Sequence, residues 1–496
     1  MKLIILSIPA ACLGLSACAL KTPPSGSAIL TDAARGQIPA GWSGAHQGGT
    51  MAPGWIGSFG DPGLTRIVNN ALKWNPDLRA AAARVEASQA AVRVAAASLY
   101  PRIAVKTLGE FQGQKLDGDI DLGLDPPSLG GLGVDNTGGS PGSRSAESSS
   151  QRWVAGIGVG ASWEADVWGR VRSKRAAAAF DSGALSADYE FARQSLAATV
   201  ARAYFSSIEA AQQAVNAEET LGLYRDYLKL AEILKTQGHA SDFDLAQIKS
   251  RSAGVEDSLY VAQAARAQAI RAIEVVTSHY PAGRLTPPAS FPGQPKYVPS
   301  GLPAQILERR PDIIAAERRF AAAFHRVNEA RTARLPRFSL STSGGLGTAQ
   351  LSGVGTLDAL SWSLAGGVVQ PIFFGGELKA AEEIRTAEQR AAAASYTATV
   401  LHAFGEVEGA LASEYYLNKR AGALAGMVEQ AGVTVKLGKL QFDEGHADMF
   451  TLLRLAGESL AAKIELTKIR ASLLRERVNL HLALGGDFQE AVERSK

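Results

Sequence analysis

The chain has 496 residues, 46% apolar, 20% charged and 7% aromatic, and its 51 basic and 48 acidic residues leave a net charge of +3. That balance excludes a nucleic-acid binder built on a basic stripe. The two cysteines, Cys12 and Cys18, both lie in the first 20 residues, which excludes a disulfide framework and a cysteine-ligated metal site. Abundant alanine (86 residues) and glycine (51) with few aromatics point to close helix packing. No run of 18 apolar residues follows the N-terminus, so no transmembrane helix is expected.

Residues 1–17 read as an export signal: Lys2 is the basic part, and Leu3 to Leu15 form an apolar stretch too short to span a bilayer. Leu15-Ser16-Ala17-Cys18 resembles a bacterial lipobox, so the Cys18 thiol is expected to carry the lipid, and Cys18 becomes the first mature residue. Cys12 fits worse, with Pro9 three residues before it. Ala19 stands where an inner-membrane lipoprotein often has Asp, which favours the outer membrane of a Gram-negative cell. Residues 18–61 are expected to be an extended segment.

The rest of the chain is two copies of one unit. Asn75-Pro76-Asp77-Leu78 is matched 235 residues later by Arg310-Pro311-Asp312-Ile313, and Pro101-Arg102 by Pro336-Arg337 at the same offset. Gly238-His239-Ala240-Ser241-Asp242-Phe243 is matched by Gly445-His446-Ala447-Asp448-Met449-Phe450 at an offset of 207. The difference, 235 − 207 = 28, means that the first copy carries 28 extra residues, assigned to a long Gly/Ser/Pro-rich loop over 113–151. Repeat 1 covers 62–280 and repeat 2 covers 303–484, joined by a Pro-rich linker over 281–302 and followed by a tail over 485–496.

In each repeat the order is helix, two strands, long helix, turn, shorter helix. A first helix is expected over 64–99 and its equivalent over 303–334. Period-2 alternation predicts strands over 102–112, 153–164, 337–347 and 361–370. Ile103, Val105, Thr107 and Phe111 share one face, opposite Arg102, Lys106, Glu110 and Gln112; Ile157, Val159 and Ala161 oppose Gly156, Gly158 and Gly160. Each strand is long enough to cross an outer membrane when tilted, and Trp153, Trp163 and Trp362 suit an aromatic girdle. Four strands cannot close a barrel, for which about eight is the practical minimum, so several chains must share one. The Gly-rich run from Gly156 lies within a strand and opens no helix, so it is no phosphate loop.

Long helices are predicted over 168–237 and 376–443, each about 100 Å, with tip turns at 238–241 and 444–448 and shorter helices over 242–279 and 449–484. Heptad seams flank the tips: Leu223, Tyr227, Leu230 and Leu234, then Leu245, Ile248, Val255 and Leu259; in the second copy Leu424, Val428, Ala431, Val435, Gly438 and Phe442, then Leu452, Leu455, Ala462, Leu466 and Ile469.

The lipobox, Phe59-Gly60-Asp61-Pro62 leading into Asn75-Pro76-Asp77-Leu78, and Arg309-Arg310-Pro311-Asp312 together resemble the outer membrane factors of efflux and type I secretion, the TolC-like family, in its lipoprotein branch. The resemblance implies a mainly α fold with a membrane β-barrel: a homotrimer with a 12-stranded shared barrel in the outer membrane and a 12-helix coiled-coil tunnel extending into the periplasm. It implies as partners a periplasmic adaptor (a membrane fusion protein), an inner-membrane transporter of the resistance-nodulation-division type, and outer membrane lipid, and it implies small molecules such as drugs as cargo. By resemblance Gly238, His239, Gly445 and His446 form the adaptor-docking tips. The family often has acids six and nine positions after the tip glycine in its two copies; Asp244 fits the first, whereas Thr451 and Arg454 stand at those positions in the second. Asp244, Asp448, Thr451 and Arg454 are therefore the candidate periplasmic gate, with Arg454 pairing Asp244 of a neighbouring hairpin as one reading and simple helix capping by Asp244 and Asp448 as the other.

Enzyme signals are missing: the seven histidines show no metal spacing with carboxylates, and no nucleophile elbow is present. No metal or cofactor beyond the lipid is expected. A type I secretion channel and a pore-free lipid-anchored periplasmic scaffold remain as alternatives. Neither substrate nor ion preference is legible, because Arg102, Lys106, Glu110, Gln112, Glu164 and Arg337 mix signs.

Overall fold

The computed structural model of the chain describes residues 20–33, 39–44, 54–116, 148–288, 290–293, 298–351 and 359–486. Cys18, the signal segment, the loop core at 117–147 and most of the C-terminal tail lie outside these. After a short helix α1 (Gly26–Ala33), repeat 1 runs α2 (Pro62–Trp74), α3 (Pro76–Ala97), β1 (Arg102–Leu116), β2 (Ser148–Ala165), α4 (Arg170–Thr236) and α5 (Asp242–Val276). Repeat 2 runs α6 (Ile306–Arg309), α7 (Pro311–Thr332), β3 (Arg337–Leu351), β4 (Ala359–Val369), α8 (Glu377–Asp443) and α9 (Met449–Ala483).

Three expectations change. The segment over 18–61, expected to be extended, contains the helix α1 (Gly26–Ala33). The helices expected over 64–99 and 303–334 are each broken, between α2 and α3 and between α6 and α7. The cause is the X-Pro step: Asn75 (ψ 125°) and Arg310 (ψ 119°) are extended, as a residue before proline prefers. The loop expected over 113–151 is also shorter, because the β1–β2 ladder continues to Leu116↔Ser148 through polar residues that carry no alternation signal.

The described residues form two units, a strand unit within 94–173 and 328–381 and a helical unit within 21–93, 174–327 and 382–486. In the strand unit the sheet order is β1-β2-β3-β4, antiparallel throughout, with β1 and β4 as open edges. All four helix-joined strand ends fall at one end of the sheet, since Arg102 pairs Ser162, Ala165 pairs Phe338 and Arg337 pairs Val369.

Two large cores lie in the helical unit, each built mainly from one repeat. Trp55, Phe59, Leu64 and Val68 pack on Tyr204, Phe205 and Ile208 of α4, together with Ile273 and Val478. Trp42, Ile306, Ile313 and Phe320 pack on Tyr396, Val400 and Val407 of α8, together with Leu480 and Leu484. A third cluster at the tips contains Tyr227, Leu245, Ile248, Val255 and Leu259 of the first seam with Leu452 of the second. Between the first core and the tips α4 also meets α9. Arg202 bonds Asn479 (2.9 Å), Arg475 bonds Glu209 (2.6 Å), Asn216 bonds Thr467 (3.1 Å) and Lys463 bonds Glu219 (2.9 Å). Arg202, Glu209 and Asn216 recur every seven residues, so one polar side chain per heptad sets the antiparallel register of the two helices.

The repeat offsets reappear as contacts. The Asn75 Nδ2–H donates to the Val276 carbonyl at the end of α5 (3.0 Å), and the Arg310 guanidinium donates to the Ala483 carbonyl at the end of α9 (2.9 Å). Both donors and both acceptors are repeat-equivalent, so the X-Pro-Asp motif clamps its own repeat shut. Arg310 is 4% exposed and also pairs Asp312 (2.7 Å) and Glu406 (2.7 Å). Just beyond each clamp the chain turns through a left-handed residue, Ser278 (φ 61°) in repeat 1 and Gly485 (φ 68°) in repeat 2. Ser278 offsets its strain with a hydroxyl bond to the Trp74 carbonyl (2.7 Å).

One equivalent pair diverges in chemistry. Buried Glu274 accepts N–H bonds from Gly283, Arg284 and Leu285; burial pushes its pKa up, but these bonds outweigh that and hold the carboxyl below its ordinary value. Its counterpart His481 is buried, stacks on Trp55 at 5.2 Å, and has no hydrogen-bond partner on either ring nitrogen among the described residues. Burial first and the Arg477 charge second push its pKa down to about 3.

Two outcomes are expected. Arg310→Met removes a cation that serves two carboxylates and a carbonyl, and should destabilise the fold by about 3 kcal/mol or more, read as a drop in the unfolding midpoint in detergent. His481 is neutral in the fold but takes a proton when unfolded, so it makes stability fall as pH drops from about 6.5 towards its folded value of about 3. The slope is about 1.4 kcal/mol per pH unit, and His481→Gln should flatten the midpoint-versus-pH curve between about pH 6.5 and 5.

Candidate functional site

The sheet is the first candidate region. Its register brings the separately predicted faces together. Ile103↔Ala161, Val105↔Val159 and Thr107↔Ile157 lie on one side, continued by Ala161↔Thr342, Ile157↔Leu346, Thr342↔Leu364 and Phe338↔Val368. The other side carries Lys106↔Gly158, Gly158↔Gly345, Gly160↔Ser343, Ser162↔Ser341 and Ser343↔Ser363. One face is therefore apolar across all four strands, and the other is a wall of glycine and serine with Arg102 and Lys106 on β1. Ile103 is 72% exposed and Trp362 is 80% exposed. Gly158 and Gly345 are required by close approach, since a Cβ on Gly345 would stand 2.8 Å from the Gly158 Cα and the Ile157 carbonyl oxygen.

The foot of the sheet is tightly bonded. Glu164, placed by sequence among the polar-face charges, is gripped by Arg170 through three bonds of 2.9–3.1 Å. The Asp166 carboxylate accepts the Val171 and Arg172 N–H groups (both 2.9 Å), capping α4. Trp163, expected in a girdle, donates its Nε1–H to the Leu99 carbonyl (3.0 Å); Trp168, which sequence reasoning passed over, donates to the Pro336 carbonyl (2.8 Å). The side chain of Trp153 lies outside the described residues.

The second region is the pair of helix tips. Gly238 (φ 79°) and Gly445 (φ 77°) end α4 and α8 in left-handed turns closed by equivalent bonds, His239 N–H to Leu234 O (2.8 Å) and His446 N–H to Gln441 O (2.7 Å). His446 Nδ1 stands 3.6 Å from a Glu444 oxygen, and Lys235 pairs Asp242 across the first turn. Gly438 provides a hole for Leu455, whose Cδ1 is 2.5 Å from where a Cβ would sit.

The gate candidates all lie at this end. Asp244 and Ser241 form a capping box: the Asp244 carboxylate accepts the Ser241 N–H (2.8 Å) and hydroxyl (2.7 Å), and the Asp244 N–H donates to the Ser241 hydroxyl (3.2 Å). Asp448 caps α9 by accepting the Thr451 N–H (2.8 Å). The bonds from Ser241 lower the Asp244 pKa, and the bonds from Thr451, with a smaller contribution from Arg454, lower that of Asp448. The Asp448 charge acts on Asp244 in the opposite sense. Arg454 bonds Glu458 one turn along its own helix (2.9 Å). Within one chain the structure thus brings Asp244, Asp448 and Arg454 into electrostatic range and engages Asp244 and Arg454 with separate partners. Among the described residues no cluster of three or more metal-ligating side chains occurs.

Comparison with known proteins covers the same two repeats. The family model described as outer membrane efflux protein matches residues 67–278 and 302–486. The chain is 29% identical over 486 residues to the pyoverdine export outer membrane protein OpmQ of Pseudomonas putida, covering 96% of each chain. It is 30% identical over 460 residues to the outer membrane protein OprJ of Pseudomonas aeruginosa, covering 90% of each. Among solved structures, the outer-membrane channel OprN superposes with a TM-score of 0.77 at 26% identity, covering 94% of this chain and 96% of that one.

Proposed function

Because this chain belongs to the outer membrane efflux protein family, we propose that it is the outer membrane channel of a tripartite efflux pump, a homotrimer whose chains share one barrel. The observation that carries this reading is the one-sided sheet with two open edges. Unpaired edge groups in hydrocarbon cost several kcal/mol each, and four strands are half of what a small barrel needs. Three copies supply twelve strands and leave no edge. The apolar face then meets lipid, and the glycine–serine face lines a water-filled conduit with no chemistry of its own. The similarity to a pyoverdine exporter supports small molecules as cargo. Cys18 carries the lipid in this reading, and the tips at Gly238, His239, Gly445 and His446 dock a periplasmic adaptor that links to an inner-membrane transporter of the resistance-nodulation-division type.

The closed state in this reading is held where Arg454 of one hairpin meets Asp244 of a neighbour, with Asp448 and Thr451 beside them. Both partners start from local engagements, a capping box worth about 1–2 kcal/mol and an i,i+4 pair worth about 0.2–0.5 kcal/mol. Exchanging them for a bond between chains is therefore nearly isoenergetic, as a gate requires. Single-channel recording in planar bilayers tests both claims. Arg454→Glu and Asp244→Arg should each raise conductance and open probability over the parent. Unchanged conductance in both variants contradicts the gate, and no conductance from any variant contradicts the channel.

A further inference from the structure

The two places where a strand passes into a long helix share a backbone and differ in charge. Gly169 (φ 77°) and Gly376 (φ 88°) are left-handed, and their carbonyls accept an N–H of the first helical turn, from Ser173 (2.8 Å) and Ala380 (3.0 Å). The Trp163 Nε1–H donates to Leu99 O (3.0 Å), and the equivalent Gln370 Nε2–H donates to Arg334 O (3.1 Å). In repeat 1 this turn encloses an anion. The Asp166 carboxylate, 9% exposed, accepts the Val171 and Arg172 N–H groups (both 2.9 Å) and the Arg172 Nε–H (3.1 Å). In repeat 2 Phe373 stands at that position, 207 residues on, and its side chain cannot accept from Leu378 and Lys379. A cavity of about 460 Å³ lies there, lined by Arg331, Arg334, Gln370, Phe373, Leu378 and Lys379 together with their neighbours. Arg331 and Arg334 stand where repeat 1 has Ala96 and Leu99, and Lys379 where it has Arg172. The second foot therefore has one acid fewer and two cations more, and Glu377 of the same helical turn is not among the lining residues.

We propose that this cavity binds the headgroup phosphate of an anionic phospholipid, which takes the place that Asp166 fills in repeat 1. Its oxygens accept the Leu378 and Lys379 N–H groups, and the Arg331, Arg334 and Lys379 cations balance its charge. The surroundings favour a lipid over a free ion. Ile372 and Phe373 are 88% and 87% exposed and Phe374 is 55% exposed, so a cationic cavity and an apolar patch stand side by side, as an amphiphile requires. Two observations put this foot at the membrane surface. Gln370 continues the alternation of the apolar face beyond Val368, which pairs Phe338. Leu20, two residues after Cys18, lies against the repeat 1 foot, with its Cδ2 3.7 Å from where a Gly169 Cβ would sit. A Cβ on Gly376 would meet nothing within 4 Å among the described residues, so the second foot has no such cover. The proposal rests on the reading of the sheet as membrane-spanning and of Cys18 as lipidated, and adds a second, non-covalent lipid.

Native mass spectrometry of the full-length protein in detergent, titrated with phosphatidylglycerol, tests the site. The expected result is one tightly held lipid per chain, with phosphatidylcholine bound about tenfold more weakly because it lacks net charge. Arg334→Gln combined with Lys379→Gln should weaken phosphatidylglycerol binding by about tenfold or more, whereas Lys106→Gln on the polar face of β1 should leave it unchanged. Phe373→Asp restores the acid of repeat 1. It should abolish the tight adduct and raise the unfolding midpoint, a combination that a misfolded variant cannot give. No tight adduct on the intact parent, or equal binding by the parent and Phe373→Asp, overturns the proposal. Displacement of the lipid by inorganic phosphate at equal concentration assigns the cavity to a free oxyanion and overturns the lipid reading. Adducts are counted per chain, so the two readings fail separately: a trimer without the adduct leaves the shared barrel standing, and a monomer that carries it overturns the barrel and leaves the lipid site.

Discussion

A peptide group in hydrocarbon has no water to bond, and the rest of this molecule depends on that constraint. The sheet of one chain satisfies three ladders and leaves two edges open. Its sequence nonetheless gives all four strands a mostly apolar face, interrupted by Thr107, Thr342, Gly344 and Gly366, so the sheet is built for lipid before it is complete. The deficit makes assembly a condition of the fold. Strands that match lipid on one face and carry mostly glycine and serine on the other can serve only as staves of a larger wall.

The helical unit solves a different problem, how to keep helices of 67 residues in register. Alanine and glycine let their backbones approach, and the seam residues interlock near the tips. Small side chains alone specify register poorly, because one heptad resembles the next. The polar ladder from Arg202 to Glu219 against α9 supplies the missing specificity. The ion pairs Arg319–Asp188 and Arg326–Asp181 do the same between α7 and α4, again seven residues apart. At the far end of each repeat, Asn75 and Arg310 bond the last turn of the returning helix. The repeat has kept the acceptor carbonyl and changed the donor from a neutral amide to a guanidinium with two carboxylate partners.

Much of this was legible in the sequence, for physical reasons. Strand alternation survives because water and lipid demand opposite side chains. The tips were legible because a left-handed turn needs glycine and the next helix needs a cap, which Gly238 with Ser241 and Gly445 with Asp448 supply. The α4–α9 ladder was not legible: Arg202, Glu209 and Lys463 read as solvated charges until the fold brings their partners from more than 200 residues away. The helix breaks at Asn75 and Arg310 were masked because apolar periodicity continues through them, although Pro76 and Pro311 carried the signal. Trp163 suggested a girdle by its type and position, and its hydrogen bond to Leu99 follows from tertiary placement that periodicity cannot report. For the gate candidates, sequence offered two readings of Asp244, capping and pairing with Arg454. The single chain realises the first, and the second requires a neighbour.

The central claim is that the open sheet is completed by copies of the same chain. Native mass spectrometry of the full-length protein, released from detergent under conditions that preserve subunit contacts, measures this directly. The account predicts a mass of three chains. A single-chain mass in mild detergent, with the helical content intact, would contradict it, because four strands cannot close on themselves.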